Sequence, residues 1–582
     1  MDSLSYLNTY FWRYKKKLAL GMLFILISNA ALVFIPIFLR EGIDSLQEGV
    51  SYHQLFNYGL LILGAAIISG IFRFLIRQTI IVVSREIEYD LRQDFWTHIQ
   101  KLSYRYFQNN STGNIMAHAT NDIGAVRMYV GPAVMYSIDT ISMFIITISL
   151  MLSMSPMLTI YTLVPLPLLS YFVYKLSKKI HKKFTLIQES FSDLTTKAQE
   201  NFSGIRVIKS YVREEGEIES FTKQSEDYLN KTMDKVKIQA MFQPILFTIA
   251  GLSTIIVVWA GGVMVINNTL TLGDITAFVL FLGMLVWPMI AFGWILNIIQ
   301  QASASMKRLK RILHEELDIT DSSETKFHIN SIKGKIEFKN VSFRYNKNAP
   351  EVLDNINFTI EPGQTAAIIG KTGTGKTTLI NLIPRLFDVG EGEILIDGTS
   401  VKEIPLRTLR ENIGLVPQET FLFSDTLAQN ILYGCKVSDM EIVKKAAAIS
   451  QLEKDVVEFP QGYETMLGER GITLSGGQKQ RSCLARALAI DPKILILDDS
   501  FSAVDTNTEE EILKRLKEFM KERTSIIISH RISTVKDSDV IFVLDEGKII
   551  EKGTHEELVS LNGAYADLHY KQLLEEELKE LR

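Results

Sequence analysis

Eight consecutive residues, Gly370-Lys371-Thr372-Gly373-Thr374-Gly375-Lys376-Thr377, followed by Thr378, have the types and spacing that hold a polyphosphate. The glycines let backbone N–H groups turn toward phosphate oxygens. Lys376 is placed to reach the β- and γ-phosphates, and the Thr377 hydroxyl to bind Mg²⁺. An apolar run, Ala366-Ala367-Ile368-Ile369, precedes this loop and reads as a strand, while Leu379-Ile380-Asn381-Leu382 after it reads as a helix. A second apolar strand, Ile494-Leu495-Ile496-Leu497, ends in Asp498-Asp499. A carboxylate at the end of a buried strand downstream of a P-loop is the expected second Mg²⁺ ligand, here Asp498.

Between these two motifs lies Leu474-Ser475-Gly476-Gly477-Gln478. A Ser-Gly-Gly turn in that place separates one family of nucleoside triphosphatases from the rest, and with it the chain resembles an ATP-binding cassette (ABC) exporter half-transporter. The likeness spans nearly all 582 residues. It implies roles for further positions. Tyr345, in Val341-Ser342-Phe343-Arg344-Tyr345, matches the aromatic that stacks on adenine. Gln418, in Val416-Pro417-Gln418, matches the residue that senses Mg²⁺ and the γ-phosphate. Gly468-Glu469-Arg470-Gly471 resembles the exporter-specific loop, although Met466 stands where an acidic residue is usual. Ser502-Ala503-Val504-Asp505 resembles the D-loop, with Asp505 facing a partner domain, and His530, closing Ile526-Ile527-Ile528-Ser529-His530, matches the switch histidine. Ser475, Gly477 and Gln478 belong to the signature that approaches the γ-phosphate held by another subunit, so the resemblance implies a dimer that sandwiches ATP and Mg²⁺.

One position departs from the family. The residue after Asp498, usually a glutamate acting as general base, is Asp499. Its carboxylate falls back by roughly 1–1.5 Å, and a misplacement of about 1 Å costs on the order of 10²-fold in rate. The expectation is a site that binds ATP and hydrolyses it slowly, as in the degenerate-site subunit of bacterial heterodimeric exporters. A heterodimer is therefore favoured over a homodimer.

These motifs sit in only half of the chain. Residues 1–320 carry net charge +5 and the rest −9, within an overall −4. The first half holds long apolar runs, and the second has the alternation of a soluble α/β domain. With 47% hydrophobic and 22% charged residues, disorder and fibrous repeats are excluded, and the charge gives no reason to expect nucleic acid. Two cysteines, Cys435 and Cys483, both in the second half, suit a reducing compartment. The expected fold is a six-span α-helical transmembrane domain with long intracellular helices over 1–320, followed by an α/β P-loop nucleotide-binding domain over 321–582. The spans fall near 18–39, 55–83, 129–152, 157–175, 241–267 and 272–299. The first apolar run is too long for a cleaved signal peptide.

Lys and Arg collect in the N-terminal segment and in loops 84–128 and 176–240, which assigns both termini and the nucleotide-binding domain to the cytoplasm. With no targeting extension read before Met1, the expected location is the cell's inner (plasma) membrane, which for a bacterial source is the bacterial inner membrane. Phe184, Ile187, Leu194 and Ala198 recur at helical spacing, so the spans continue as helices beyond the bilayer, with turns expected at 109–114 and 201–204. Arg73, Arg77 and Asp139 lie within spans, where an ionisable group costs several kcal/mol unless paired or hydrated. They line a cavity, form an Arg–Asp pair that holds helices together, or snorkel toward an interface. The overall expectation is ATP-driven export of amphipathic small molecules or lipids by alternating access, with an ATP-gated channel or nucleotide-dependent regulator as the alternative. Fusion of membrane part and ATPase on one chain argues against an importer.

Overall fold

The computed structural model describes residues 3–346, 348–468, 471 and 473–580. The chain divides into two compact units, Met1–Gln100 with Thr112–Glu315, and Lys101–Ser111 with Glu316–Arg582.

The first unit is entirely helical among its described residues. Among the described residues, five helices are long and apolar enough to cross a membrane: Lys15–Gln47, Tyr52–Ile99, Thr112–Met154, Glu214–Ile266 and Leu272–Leu313. At about 1.5 Å per residue, the 48 residues of the second extend roughly 70 Å, more than twice a hydrocarbon core of about 30 Å. The fourth expected span, 157–175, lies on two helices, Pro156–Leu163 and Pro165–Ser203, parted at Val164. Pro165 has no N–H to donate, which breaks the backbone ladder there. Val164 keeps right-handed helical angles, so one rod leads into the next. Single π-turns interrupt the second and third long helices at Arg77–Ile81, His118–Asp122 and Tyr129–Ala133.

The break expected at 201–204 falls at Gly204, and a further turn follows at 211–212. The helix runs through Ser203 and is followed by a short helix, Ile205–Ser210, and a turn in which Val212 has φ 49°. A β-branched residue in the left-handed region is strained. Phe202, Val207, Tyr211 and Val212 are all exposed at this tip.

Where the first long helix ends and the last begins, an ionic clasp joins them. Asp44 accepts from the Thr271 hydroxyl (2.7 Å) and the Gly273 N–H (2.9 Å). Arg40 Nε lies 2.7 Å from an oxygen of Asp274, which is 4% exposed, in an ion pair not aligned as a hydrogen bond.

Among its described residues the second unit contains two sheets. Strands β1 (Ile336–Phe343), β2 (Leu353–Ile360), β4 (Glu391–Ile396) and β5 (Thr399–Ser400) form an antiparallel sheet in the order β2-β1-β4-β5. The other sheet has the order β10-β9-β3-β8-β7-β6, with β3 Thr365–Ile369, β6 Ile413–Val416, β7 Ile494–Asp498, β8 Thr524–Ile528, β9 Val540–Asp545 and β10 Lys548–Gly553. From β9 to β6 every pairing is parallel. Strands β7 and β8 are buried at every residue, as their near-continuous Ile and Leu require of a parallel sheet covered on both faces. Segment Lys101–Ser111, assigned by sequence to the membrane half, clusters with this unit. The Tyr104 ring meets Phe387 edge-on at 5.6 Å, and the Ser103 hydroxyl donates to Asp318 at 3.2 Å.

Candidate functional site

In an open parallel sheet, ligands bind beyond the carboxyl ends of the strands. The P-loop follows β3, Gln418 lies two residues past β6, Asp498 ends β7 and His530 lies two residues past β8. Because Val416 pairs with Leu497, and Asp498 with Ile528, these ends lie side by side. Parallel register alone therefore gathers residues spread over 370–530.

The loop needs glycine at two places for different reasons. Gly375 caps the helix Lys376–Leu382 at φ 99°, in the left-handed region. At Gly370 a Cβ would sit 2.1 Å from the Leu544 carbonyl, so no side chain fits. Lys371, Thr372, Gly373 and Thr374 form the arch between them, closed by the Thr374 hydroxyl donating to the Lys371 carbonyl at 2.9 Å. Lys376 is 7% exposed, and its ammonium donates back to the carbonyls of Gly370 (2.9 Å) and Lys371 (2.7 Å). Burial lowers its pKa, opposed by Asp498 and Asp499.

The Thr377 hydroxyl donates to Asp498 Oδ2 at 2.8 Å, which brings the two expected Mg²⁺ ligands together across 121 residues of sequence. Asp498 is 2% exposed, and burial pushes its carboxyl above the usual carboxylate range, with Asp499 adding to the rise. A hard cation is what such a carboxylate and hydroxyl pair would hold, and the glycine cradle and buried ammonium suit the phosphates it accompanies. Asp499 has φ 46°, a region that Asp tolerates better than longer side chains. Its N–H donates to the Ile528 carbonyl at 2.9 Å. Gln418 and His530 are both exposed at the same edge. The Tyr345 hydroxyl lies 2.8 Å from the Thr378 hydroxyl, and its ring is set by edge contacts with Phe343 (5.1 Å) and Phe387 (5.4 Å).

The signature residues form a separate assembly. Ser475 caps the helix Gly476–Ala489 in a reciprocal box: its hydroxyl accepts from the Gln478 N–H (3.3 Å), and its own N–H donates to Gln478 Oε1 (2.9 Å). Gln478 also donates to Asp455, which in turn takes two bonds from Arg481. None of the hydrogen bonds made by Ser475 or Gln478 reaches the P-loop among the described residues. Asp505, expected to face a partner, caps the helix Thr506–Met520 by accepting from the Thr508 N–H, and that bond lowers its pKa. Of the exporter-specific loop, Glu469 and Arg470 lie outside the described residues.

Two residues that sequence reading passed over organise these parts. Gln480, 5% exposed, donates to the Ser502 hydroxyl (2.8 Å) and accepts from the Ala503 N–H (2.9 Å), tying the signature helix to the D-loop. A glutamine on the same helix face as Cys483, Leu484 and Ala487 is the signal that was available. Gln572, on the terminal helix Ala564–Glu580, brackets the switch: it donates to the His530 carbonyl (2.5 Å) and accepts from the Ile532 N–H (2.8 Å). Glu509, 4% exposed, accepts from Arg531 and Thr534 just beyond.

Comparison with known proteins agrees with this arrangement. Residues 18–289 match the ABC transporter transmembrane region, and residues 353–502 match the ABC transporter family. A probable multidrug resistance ABC transporter ATP-binding/permease protein, YheI of Bacillus subtilis (strain 168), is 38% identical over 574 residues, 98% of this chain and 97% of the relative. An ATP-dependent lipid A-core flippase of Syntrophus aciditrophicus (strain SB) is 36% identical over 499 residues, 86% of this chain and 82% of the relative. Among solved structures, a bacterial Atm1-family ABC exporter with ATP bound superposes with TM-score 0.78 at 25% identity, covering 96% of this chain and 98% of that one. The chain belongs to the ABC transporter family, with a membrane-spanning region and an ATP-binding domain on one polypeptide.

Proposed function

We propose that the chain is one half of a dimeric exporter that moves amphipathic small molecules or lipids across the bacterial inner membrane by alternating access, driven by ATP and Mg²⁺. Its termini and nucleotide-binding domain face the cytoplasm. The observation that carries this reading is the separation of two half-sites on one chain. Thr377 and Asp498 meet at the P-loop, while Ser475 and Gly477 are held elsewhere by Gln478, Asp455 and the D-loop. A second chain would supply what each lacks. The exposed apolar tip at 202–212 suits docking on that partner. The cargo class rests on the relatives named for multidrug resistance and lipid A-core flipping.

In this reading Lys376 carries charge to the β- and γ-phosphates, Tyr345 supports the base, and Thr377, Gln418 and Asp498 hold Mg²⁺. The ion neutralises charge on the phosphates when bound. Asp499 and His530 act on the attacking water and the γ-phosphate, and the shorter carboxylate of Asp499 makes this chain's own site the weak one of a heterodimer. The test is the ATPase rate of the chain purified alone, with and without Asp499→Ala. Weak activity alone, restored by an active partner and little changed by the mutation, supports the heterodimer. Robust activity that Asp499→Ala abolishes refutes it in favour of a homodimer.

A further inference from the structure

The membrane-spanning unit holds a half-open cavity of about 410 Å³, walled by four of its helices, with Arg73, Tyr136, Asp139, Thr140, Met143 and Trp287 among its lining. Arg73 is 21 residues into the helix that begins at Tyr52, and Trp287 is 15 residues into the one that begins at Leu272, or roughly 32 and 22 Å along them. Arg77, one turn beyond Arg73, does not line it.

Arg73 and Asp139 share this wall without neutralising each other. Among the described residues neither side chain has an ion-pair partner within 4.0 Å. A pair serving only to hold helices together would close that gap, because a charge on a spanning helix costs several kcal/mol unless it is paired or hydrated. The Thr140 hydroxyl, beside Asp139, is buried and has no hydrogen-bond partner. The backbone that presents Asp139 is fixed. Its carbonyl accepts from the Asn29 amide and the Ser142 hydroxyl, both at 3.1 Å, and Asn29 is fully buried. The aromatic wall is set too, with Tyr136 edge-on to Trp294 at 5.4 Å.

Resting on the export reading above, we infer that this cavity receives a zwitterionic amphiphile, its anionic group on Arg73 and its ammonium on Asp139. Tyr136 and Trp287 offer ring faces to the cation, and Met143 takes the apolar chain. A singly charged amphiphile satisfies one group and leaves the other exposed to an apolar surrounding. The volume suits a headgroup with the first part of a chain. A phospholipid headgroup and a soluble zwitterion share this chemistry.

The test uses the assembled transporter in nanodiscs and three probes with one dodecyl chain, each below its micellar concentration: dodecylphosphocholine, dodecyltrimethylammonium and dodecyl sulfate. Tryptophan fluorescence reads binding independently of ATP. The zwitterion is expected to bind about tenfold more tightly than either single charge, the worth of one charged hydrogen bond. Arg73→Gln removes its advantage over the cation, and Asp139→Asn its advantage over the anion, whereas Arg73→Lys and Asp139→Glu retain both. Equal binding of the three probes by the unaltered protein overturns the inference. So does a loss of all three together in the charge-preserving variants. In liposomes, ATP-driven movement of a fluorescent phosphatidylcholine identifies a lipid as the source of the headgroup, and transport of dodecylphosphocholine alone identifies a soluble compound. Charge-selective binding with movement of neither supports the pocket assignment and refutes the export reading.

Discussion

Gln480→Met removes two hydrogen bonds while filling nearly the same volume, so it isolates the tie between the signature helix and the D-loop. The bonds to Ser502 and Ala503 are 2.8 and 2.9 Å long, and both D-loop residues are otherwise exposed to water. Each neutral bond is then worth about 1 kcal/mol net, or about 2 kcal/mol together. For a domain of this size, that lowers the melting temperature by roughly 4–8 °C. Gln480→Ala also empties a site that is 5% exposed and falls further. The consequence reaches function, because a Cβ on Gly477 would already lie 3.0 Å from the Ala503 carbonyl. The D-loop is seated on the signature, and a D-loop set free no longer registers with it. Thermal unfolding of the full-length protein in detergent, alongside ATPase kinetics of the assembled transporter, measures both effects. Loss is expected in kcat more than in KM for ATP. A melting temperature within about 1 °C of the unaltered protein, with kcat unchanged, refutes the reasoning.

Further outcomes are expected. Lys376→Ala abolishes ATP binding measured by a fluorescent nucleotide analogue, whereas Tyr345→Ala weakens affinity and leaves kcat nearly intact. Asp498 carries a raised pKa through burial, so Mg²⁺-dependent ATP binding declines on acidification at a pH above the ordinary carboxylate range. In the same window the nucleotide-free fold holds a proton that the unfolded chain has lost, so its stability rises as pH falls, and Asp498→Asn removes that slope in pH-resolved melting curves. Gln572→Ala loosens the backbone on both sides of Arg531 and lowers kcat several-fold with little change in KM, an effect absent in Lys571→Ala, whose side chain reaches only Asp567.

What the sequence displayed and what it hid differ in range. The P-loop and Asp498 were legible because a short motif abutting an apolar strand defines its own geometry; Thr377 and Asp498 then meet because β3, β8 and β7 are parallel neighbours. Arg73 and Asp139 were visible as charges in apolar runs, but whether they pair depends on helix rotation, which no periodicity supplies. Gln480 and Gln572 act on residues 22 and 42 positions away, and nothing local marks a glutamine that serves another loop. The membrane half ended at 320 in the sequence reading, yet 101–111 clusters with the second unit through an aromatic contact across 283 residues, from Tyr104 to Phe387. The fourth span was found in hydropathy and divided in the structure by the missing N–H of Pro165.

The clasp at Arg40, Asp44, Thr271 and Asp274 bears on how the polypeptide is made. Its members lie 229 residues apart where Asp44 meets the Gly273 N–H, so a ribosome must synthesise almost the whole membrane half before the contact can exist. Until then the first helix holds only two members of the clasp, Arg40 and Asp44, which lie 3.9 Å apart. Arrival of the last span supplies a buried carboxylate, a hydroxyl and a backbone donor at once. The bundle is thus closed by its final segment, and a chain truncated before residue 271 lacks the parts that fasten its first helix to its last.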